Sequence, residues 1–385
     1  MAKKVLFYVQ HLLGIGHLHR AALISRNLSK VGLDVILVSG GEPLPHLDLG
    51  SSRFVQLSPV RTIDHNFTTL VDMNNQPVND SWRRSRCNHL LEVWKNHKPD
   101  VVILELFPFG RRQMKFELLP LLDLVKSSGH RTIVVSSVRD ILSGSRTPIR
   151  NNETVELIKS YFDYVLIHGD PKFITFNETF VNADKIASQL VYTGYTVDPT
   201  QAAAEKTHHA QGEVIVSAGG GAVGLSLLET AILARKSTVL KDNLWRVLVG
   251  TGVSESSFQA LQKSSDENLI VERARTDFPK LLNHCALSIS QGGYNTTCEA
   301  LVSKARCVIV PFSQGTETEQ TIRTARLAKR GFVKMVPESS LNPTSLASAI
   351  RDAMDATPNC AFSLNTSGLA TTVSLVQDWA ECAPK

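Results

Sequence analysis

Both halves of the chain repeat one order of elements: a short apolar run, a glycine-rich turn and a helical pattern. The two copies are FYVQHLLGIGHLHRAAL, from Phe7, and VIVSAGGGAVGLSLLETA, from Val214. Continuous β-branched runs of this kind are typical of strands that are buried on both faces of a parallel sheet. Parallel strands need a crossover connection, which a helix usually supplies. The chain therefore predicts an α/β fold of two Rossmann-like, doubly wound domains.

The same patterns locate the elements along the chain. Gly32 follows the first helix, where a glycine commonly ends one. The predicted strands are Val5–Val9, Asp34–Ser39, Val101–Glu105, Thr132–Ser136, Tyr164–His168, Val214–Ser217, Trp245–Val249, Asn268–Val271, Leu287–Ser290, Cys307–Val310 and Phe332–Val336. The predicted helices are Leu18–Val31, Leu225–Arg235, Phe278–His284, Asn295–Val302, Glu317–Lys329, Pro343–Asp355 and Leu369–Ala380.

A length of 385 residues fits two domains of ordinary size. The segment 198–212 has no apolar periodicity, and we expect the domain boundary there. Its adjacent histidines, His208 and His209, have no partner pattern for a metal. We predict a first domain over 1–200, a second over 201–357, and a segment over 358–385 that packs back on the first domain.

Composition narrows the classes of function. The formal net charge is only +5 and evenly spread, which does not predict nucleic-acid binding. No apolar stretch reaches the ~18 residues of a membrane-spanning helix, and the first residues fit a β-strand better than a signal peptide. The six cysteines include no zinc spacing, which predicts reduced thiols in a cytoplasmic protein.

The loop over residues 10–17 follows the first strand, at the sheet edge where doubly wound domains bind their ligands. Gly14 and Gly16 allow backbone to approach a ligand, and the next helix offers its first amide groups to an anion. A dinucleotide fingerprint would need a glycine where His19 stands and an acidic residue at the end of the second strand, which is Ser39. The loop therefore argues against NAD.

Histidines are the reactive side chains of this loop, at positions 11, 17 and 19. His17 would lie at a helix N-terminus, where the helix dipole lowers the pKa of an imidazole and keeps it neutral. We predict that His17 is a general base, and that His11 and Asp140 are its rivals. A histidine that merely closes a tight turn is the alternative.

The loop SAGGGAVG, from Ser217, also follows a strand and opens a helix. Three consecutive glycines lose much conformational entropy on folding, and close passage of backbone past a phosphate would explain them. The loop lacks the Lys and Ser/Thr of a P-loop, which argues against Mg-dependent phosphoryl transfer. The candidate donor-binding residues here are Ser217, Gly219, Gly220 and Gly221.

The segment 288–320 carries the strongest motif, SISQGGYNTTCEALVSKARCVIVPFSQGTETEQ. A strand ends at Ser290, two glycines turn the chain, and Asn295–Thr297 begin a helix that could bind an anion. Glu299 lies on the first turns of this helix, within reach of a diol such as ribose. Glu319 and Gln320 follow the next strand and suit sugar hydroxyls. A solvated helix N-terminus is the alternative interpretation of these acids.

In the first domain, the segment after the third predicted strand has a less specific pattern. Residues 105–112, ELFPFGRR, follow a strand end. They could bind an acceptor that carries phosphate or carboxylate, lie against a membrane, or form a plain surface loop. Arg139 and Asp140 follow the next strand at the same edge. The basic stretch 82–86 predicts a solvated helix.

Taken together, the G-I-G-H loop at 14–17, the S-A-G-G-G loop at 217–221 and the G-G-x-x-T-x-x-E block at 292–299 resemble the GT-B glycosyltransferases. V-P-F at 310–312 and the acid/Gln pair after it add to this likeness, which covers roughly residues 3–340 and points to the MurG-like branch, family 28. The resemblance implies two facing Rossmann domains with a cleft between them. It further implies that the second domain binds most of a nucleotide sugar and the first an acceptor.

The resemblance also assigns roles to residues. Gly293, Thr296 and Thr297 match positions near the diphosphate, and Glu299 matches the ribose-binding acid. Glu319 and Gln320 match the donor-sugar pair. His17 matches the histidine that closes the first glycine loop. The predicted acceptor-binding residues are His11, Gly14, Gly16, Glu105 and Arg139.

One residue departs from the pattern. Gln291 stands near the place where relatives often have a His or Arg against phosphate. Stabilisation of the leaving diphosphate would then fall more to helix dipoles and backbone amides.

We therefore expect inverting, metal-independent transfer of a sugar from a nucleotide diphosphate sugar, with a UDP-sugar favoured, to an acceptor hydroxyl. No cofactor or metal is expected. The acceptor could be a small molecule, a glycan or a lipid-linked compound, and peripheral contact with the inner face of a membrane stays open. A nucleotide-sugar epimerase or hydrolase, or a non-catalytic nucleotide-sugar-binding protein, is the alternative.

Overall fold

The chain forms two compact units, Met1–Thr196 with Ser367–Lys385, and Val197–Thr366. The computed structural model describes residues 2–12, 14–44, 47–62, 69–142, 147–198, 211–220, 223–315, 317–357 and 363–382. The first division lies slightly before the predicted linker 198–212, most of which is outside the described residues. The second lies several residues after the predicted boundary at 357/358.

Unit 1 is an α/β domain. Its strands are β1 (Lys4–Val9), β2 (Asp34–Ser39), β3 (Arg53–Gln56), β4 (Arg61–Thr62), β5 (Leu70–Val71), β6 (Val101–Glu105), β7 (Ile133–Arg139), β8 (Tyr164–His168) and β9 (Leu190–Tyr192). Its helices from the first part of the chain are α1 (Gly16–Lys30), α2 (Asp80–His97), α3 (Lys115–Ser127) and α4 (Pro148–Tyr161).

One seven-stranded sheet organises unit 1, in the order β3-β2-β1-β6-β7-β8-β9. All its neighbouring strands are parallel, while β4 and β5 form a separate antiparallel pair. The side chains of β1 alternate between two cores: Leu6 and Tyr8 pack with the α2 and α3 side, and Phe7 packs with α1. Because both faces are covered, every residue over 5–9 is fully buried.

Unit 2 repeats the arrangement with a six-stranded parallel sheet, ordered β12-β11-β10-β13-β14-β15. Its strands are β10 (Val214–Ser217), β11 (Trp245–Val249), β12 (Leu269–Arg273), β13 (Leu287–Ser290), β14 (Cys307–Ile309) and β15 (Lys334–Met335). Its helices are α5 (Leu225–Ala234), α6 (Glu255–Gln262), α7 (Phe278–Leu282), α8 (Tyr294–Val302), α9 (Glu319–Lys329) and α10 (Pro343–Asp355).

The last helix, α11 (Gly368–Cys382), returns to unit 1 and packs on α1. Trp379 stacks on Tyr164 with ring centroids 4.2 Å apart, and Val376 is fully buried. Gly368 is tightly enclosed, because a Cβ there would lie 2.2 Å from the Gly194 carbonyl oxygen. The C-terminal helix thus completes the core on one face of the first sheet.

The predicted pair of doubly wound domains is confirmed, and most differences lie at the edges. β7 runs on to Arg139, beyond the predicted end at Ser136, and β15 is shorter than predicted. The edge strands β3 and β9 were missed because neither is buried enough to show a continuous apolar run. Helices α3, α4 and α6 were not predicted, and of α2 only the basic stretch 82–86 was predicted to be helical. In the described part of the chain, no helix is both long and apolar enough to cross a bilayer.

The basic stretch in α2 was predicted to be solvated, and for Arg86 this was wrong. Its guanidinium is fully buried and donates from Nε to Glu117 Oε2 at 2.7 Å and from Nη2 to Gln10 Oε1 at 2.6 Å. It also donates from Nη1 to the Gly40 carbonyl at 2.9 Å. Arg86 therefore ties α2 to α3 and to the loops after β1 and β2.

Candidate functional site

Each sheet has a topological switch point, where chain connections leave a central strand in opposite directions and open a crevice at the carboxyl ends. In unit 1 this point lies between β1 and β6, and in unit 2 between β10 and β13. The loops that follow these strands, together with the starts of the helices they lead into, contain most of the predicted site residues.

In unit 1 the switch point carries a histidine–carboxylate pair. His17, in the first turn of α1, places Nδ1 2.7 Å from Oε1 of Glu105, the last residue of β6. The His17 side chain retains 12% of its exposure, whereas that of Glu105 retains none. Arg20, one turn further along α1, also donates to Glu105 Oε1. The carboxylate can thus hold the proton on Nδ1, which leaves Nε2 unprotonated in the neutral ring.

Glu105 was predicted to bind the acceptor, and the structure gives it another position. Its second oxygen, Oε2, accepts a hydrogen bond from Ser137 Oγ at 2.8 Å. Ser137 Oγ lies 3.0 Å from His168 Nε2, and His168 Nδ1 lies 3.0 Å from Thr193 Oγ1. A fully buried carboxylate held by His17, Arg20 and Ser137 cannot reach an acceptor directly. The sequence missed Ser137 because the predicted strand ended one residue earlier.

His11 lies in the same loop as His17 but is buried, with 6% exposure. Its ring fills the space above Gly41, where a Cβ would lie 2.4 Å from the imidazole. Burial, with the positive charge of Arg111, lowers the pKa of His11 to about 4. An imidazole of that pKa is a weak base near neutral pH. Of the other loop residues, Gly14 and His19 are exposed and Gly16 begins α1.

Asp140, the other rival base, is also buried, with 1% exposure. Its Oδ2 accepts a hydrogen bond from the Tyr195 hydroxyl at 2.9 Å, and its Oδ1 accepts one from the Ile141 amide at 2.9 Å. Both oxygens are therefore occupied within the fold. This arrangement favours a structural role for Asp140 over the predicted role as base.

Two arginines border the same edge of unit 1. Arg111 follows β6 and donates from Nε to the Gln10 carbonyl at 2.6 Å, while the half-buried Arg139 ends β7. Burial lowers the pKa of Arg111 to about 10, and Arg139 contributes to this shift while Glu105 opposes it. Positive charge is thus concentrated beside the histidine–carboxylate pair.

In unit 2 the first glycine loop follows β10. Ser217 Oγ accepts a hydrogen bond from the Gly219 amide at 3.2 Å, and Gly219 adopts φ +78°. Gly224, at φ +95°, caps α5 where a Cβ would lie 2.5 Å from that of Ala218 and 2.8 Å from Gln291 Nε2. Gly220 is half-buried, and Gly221 lies outside the described residues. Gln291, noted above for its departure from the family pattern, packs against Gly224 of this loop.

The second glycine loop opens α8. Gly293 is its N-cap, with no side-chain hydrogen bond at the cap and no atom within 4 Å of a Cβ built there. Thr296 is half-buried, whereas Thr297 is 2% exposed, so its side chain points into the protein. Glu299 lies one turn further, and burial raises the pKa of its carboxyl to about 8.

The third segment is the start of α9. Glu319 is buried and accepts a hydrogen bond from Arg323 Nη2 at 2.6 Å. Gln320 Oε1 accepts one from the Phe312 amide at 3.0 Å, which fixes its side chain by the carbonyl and leaves the NH2 group as a donor. Arg323, which the sequence did not single out, also donates to the Gly292 carbonyl at 3.1 Å. It thereby connects α9 to the loop that opens α8.

Among the described residues, no three His, Cys, Asp or Glu side chains converge in a metal-binding arrangement.

Comparison with known proteins finds a family model that matches the second unit. Residues 215–371 match the glycosyltransferase family 28 C-terminal domain. The chain is 27% identical over 148 residues to the UDP-N-acetylglucosamine–N-acetylmuramyl-(pentapeptide) pyrophosphoryl-undecaprenol N-acetylglucosamine transferase of Prochlorococcus marinus NATL1A, covering 38% of this chain and 41% of that protein. It is 30% identical over 145 residues to the enzyme of the same name from Synechococcus sp. CC9605, covering 37% and 38%. The alignments thus span about two-fifths of these relatives.

Solved structures resemble the chain over almost its full length. The calicheamicin glycosyltransferase CalG4 has a TM-score of 0.60 at 13% identity and covers 99% of this chain and 95% of its own. MurG of Acinetobacter baumannii has a TM-score of 0.56 at 16% identity, covering 98% and 99%. The UDP-GlcNAc 2-epimerase of Methanocaldococcus jannaschii has a TM-score of 0.59 at 12% identity, covering 98% and 99%. At these identities the likeness is one of fold. The chain has the GT-B fold, and its second unit is similar to the C-terminal domain of glycosyltransferase family 28.

Proposed function

We propose that this protein transfers a sugar from a nucleotide diphosphate sugar to an acceptor hydroxyl, with inversion and without a metal, and that UDP is the nucleotide. The observation that carries the proposal is the 2.7 Å contact between His17 Nδ1 and Glu105 Oε1 at the switch point of unit 1. The family match of unit 2 and the UDP-sugar substrates named for its relatives support the donor.

The donor would bind to unit 2. The amide groups at the start of α8 face an open space at Gly293, and a helix N-terminus stabilises the charge of a diphosphate. Glu299 would accept hydrogen bonds from the ribose hydroxyls. Gln320 would donate from its amide to the sugar, with Glu319 beside it held by Arg323.

The reaction would be a single in-line displacement. The acceptor hydroxyl loses its proton to Nε2 of His17 as its oxygen attacks the anomeric carbon. The new C–O bond forms as the bond between the anomeric carbon and the diphosphate oxygen breaks, and the nucleoside diphosphate leaves with the electron pair. Glu105 stabilises the imidazolium that results, as carboxylates do in other histidine–carboxylate pairs.

The acceptor would carry an anionic group near Arg111 and Arg139. The positive charge concentrated there supports this, and the relatives' names specify a pyrophosphoryl-undecaprenol acceptor. A lipid-linked acceptor would bring the protein to the inner face of a membrane as a peripheral enzyme. A phosphate-bearing acceptor should be glycosylated faster than its neutral analogue, and Arg111→Gln should reduce that difference.

A thermal-shift panel of UDP, GDP, dTDP and their sugars identifies the donor. A ligand well above its Kd stabilises the protein by ~2–4 kcal/mol. His17→Ala and Glu105→Gln should each lower kcat by ~10²–10⁴-fold and leave UDP affinity close to that of the wild type. Normal kcat in both variants would show that His17, paired with Glu105, is not the general base.

Metal independence has its own test. UDP release from UDP-GlcNAc in the presence of an acceptor panel should continue in EDTA, since helix N-termini and backbone amides would stabilise the leaving group. Loss of activity in EDTA that Mn²⁺ restores would contradict the proposal. An epimerase or hydrolase is the second candidate, because the fold is shared with a UDP-GlcNAc 2-epimerase; turnover of UDP-GlcNAc without acceptor would identify it.

A further inference from the structure

A row of buried polar groups extends from the histidine–carboxylate pair into the core of unit 1. It crosses the ends of neighbouring strands: Glu105 on β6, Ser137 on β7, His168 on β8, and Thr193 directly after β9. Each of these residues has at most 1% exposure. The contacts are 2.8 Å from Ser137 Oγ to Glu105 Oε2, 3.0 Å from Ser137 Oγ to His168 Nε2, and 3.0 Å from His168 Nδ1 to Thr193 Oγ1.

The number of protons available on these side chains decides which group donates in each hydrogen bond of the row. Ser137 has one hydroxyl proton and two acceptors in reach, the Glu105 carboxylate and His168 Nε2. A hydrogen bond to a buried carboxylate is about twice as strong as one to a neutral group, and the Glu105 contact is the shorter. Ser137 therefore donates to Glu105, and His168 Nε2–H donates to Ser137. With its proton on Nε2, His168 leaves Nδ1 as an acceptor for Thr193 Oγ1, whose hydroxyl also has the Ile167 and Gly194 carbonyls within hydrogen-bond distance.

His168 can fill this place because it stays neutral. Burial, aided by the positive charge of Arg20, lowers its pKa to about 3, although Glu105 opposes the shift. A neutral imidazole has one N–H, and with that proton on Nε2 the ring passes a donor toward Ser137. Among the described residues, the charged and titratable groups around Glu105 are His17 and Arg20 on α1, Arg111 after β6 with Arg139 beside it at the end of β7, and His168 on β8.

We infer that Ser137 and His168 are positioning residues: they hold the Glu105 carboxylate so that His17 keeps its proton on Nδ1 and presents an unprotonated Nε2. The catalytic meaning of this arrangement rests on the proposed role of His17 as base. The positioning of Glu105 by Ser137 and His168 does not depend on that role, because it determines only the tautomer of the His17 ring in the free protein.

The first test reads that tautomer without any substrate. Ring ¹⁵N chemical shifts of the full-length protein labelled at histidine, with His17 assigned by comparison with His17→Gln, report which nitrogen carries the proton. Wild type should show His17 as the Nδ1–H form. Ser137→Ala and His168→Leu should convert it to a mixture, whereas His168→Gln, which keeps a donor toward Ser137, should retain the wild-type signal.

Ser136→Ala is the matched control. It removes a buried hydroxyl from the adjacent position of β7, but that hydroxyl donates to the Phe107 carbonyl at 2.7 Å and lies outside the row. It should leave the His17 signal unchanged. A wild-type His17 signal in Ser137→Ala would overturn the inference, and Ser137→Ala decides the matter if His168→Leu does not fold.

The second test follows kinetics once a donor is known. Ser137→Ala should lower kcat by ~10–100-fold, as expected for a lost hydrogen bond to a charged group, with UDP affinity unchanged. The acid limb of its pH profile should move to lower pH, since a carboxylate that Ser137 no longer holds against Nδ1 stabilises the His17 imidazolium less. A changed tautomer with normal kcat would support the positioning and count against His17 as the base.

Discussion

At the scale of single residues, Glu299 shows how burial alone changes the protonation of a carboxyl. Among the described residues, nothing hydrogen-bonds to its carboxyl, and burial raises its pKa from 4.5 to about 8. A carboxyl with a raised pKa keeps its proton on folding, so the free energy of unfolding falls as pH rises from about 4.5 to about 8. Ribose hydroxyls would supply the hydrogen bonds that the ionised group lacks.

We predict that UDP affinity rises with pH. Between about pH 6.5 and pH 8.5 the Glu299 carboxylate becomes the major form, and affinity should increase by ~25-fold if only the carboxylate binds the ribose. Isothermal titration calorimetry over this range measures the change. Glu299→Gln should bind UDP more weakly with a flat pH dependence, and in the absence of UDP it should melt at a higher temperature than wild type at pH 8. An identical pH slope in both proteins would contradict this role.

At the residue scale the sequence identified His17 and Glu105 but not their relation. They are 88 positions apart, and the apolar run that ends in Glu105 predicts a strand without indicating what its last side chain contacts. A carboxylate at the end of a buried strand suits an acceptor as well as a histidine. The choice depends on which helix crosses that strand end.

At the scale of elements, the start of α8 has two adjacent glycines, Gly292 and Gly293, whose surroundings differ. A Cβ at Gly292 would lie 2.6 Å from Thr324 Oγ1, and Thr324 is fully buried. Gly293 has φ −60° and ψ 145° and open space where a Cβ would be. Gly292 is thus required by packing, whereas nothing in the fold requires Gly293.

This difference gives a paired prediction. Gly292→Ala should destabilise the protein by about 1–3 kcal/mol through overpacking. Gly293→Ala should leave the free energy of unfolding within ~0.5 kcal/mol of wild type but weaken UDP binding, because its methyl group would enter the space assigned to the diphosphate. Denaturant unfolding and calorimetry measure the two effects. Unchanged UDP affinity in Gly293→Ala would contradict the proposal that the diphosphate binds at Gly293.

The sequence predicted the elements near the glycine loops well, because buried parallel strands and glycine turns leave local patterns. Local sequence patterns did not predict the burial of Arg86 in the basic stretch of α2. Four hydrogen-bond acceptors allow Arg86 to be buried. They are the carboxylate of Glu117 on α3, the side-chain carbonyl of Gln10, and the backbone carbonyls of Gly40 and Ser58. All lie outside α2, so charge counted along that helix cannot predict the burial.

At the scale of the whole molecule, the chain ends in the domain where it began. α11 covers one face of the unit 1 sheet, although unit 2 separates it from the rest of that unit. The stability of unit 1 should therefore depend on residues near the C-terminus.

Val376→Asp tests this dependence. A charge placed at this fully buried position should destabilise unit 1 by several kcal/mol, and hydrogen exchange should increase in β1, β2 and α1. Thermal stabilisation of unit 2 by UDP should persist. Ser374→Asp, at an exposed position on the same helix, is the control and should change neither. Equal exchange in β1 for wild type and Val376→Asp would contradict this account of α11.

The sequence by itself determined the two α/β domains, the positions of their glycine loops and the resemblance of the second one to family 28. These depend on local composition: apolar runs make buried strands, and glycines permit the turns that follow them. The tertiary structure decided which groups meet. Only the order of the strands brings Glu105, Ser137, His168 and Thr193 into one row, and only the crossing of α1 over β6 gives His17 its carboxylate. Contacts between residues far apart along the chain leave no periodic pattern, since the sheet that joins them is formed by the whole domain.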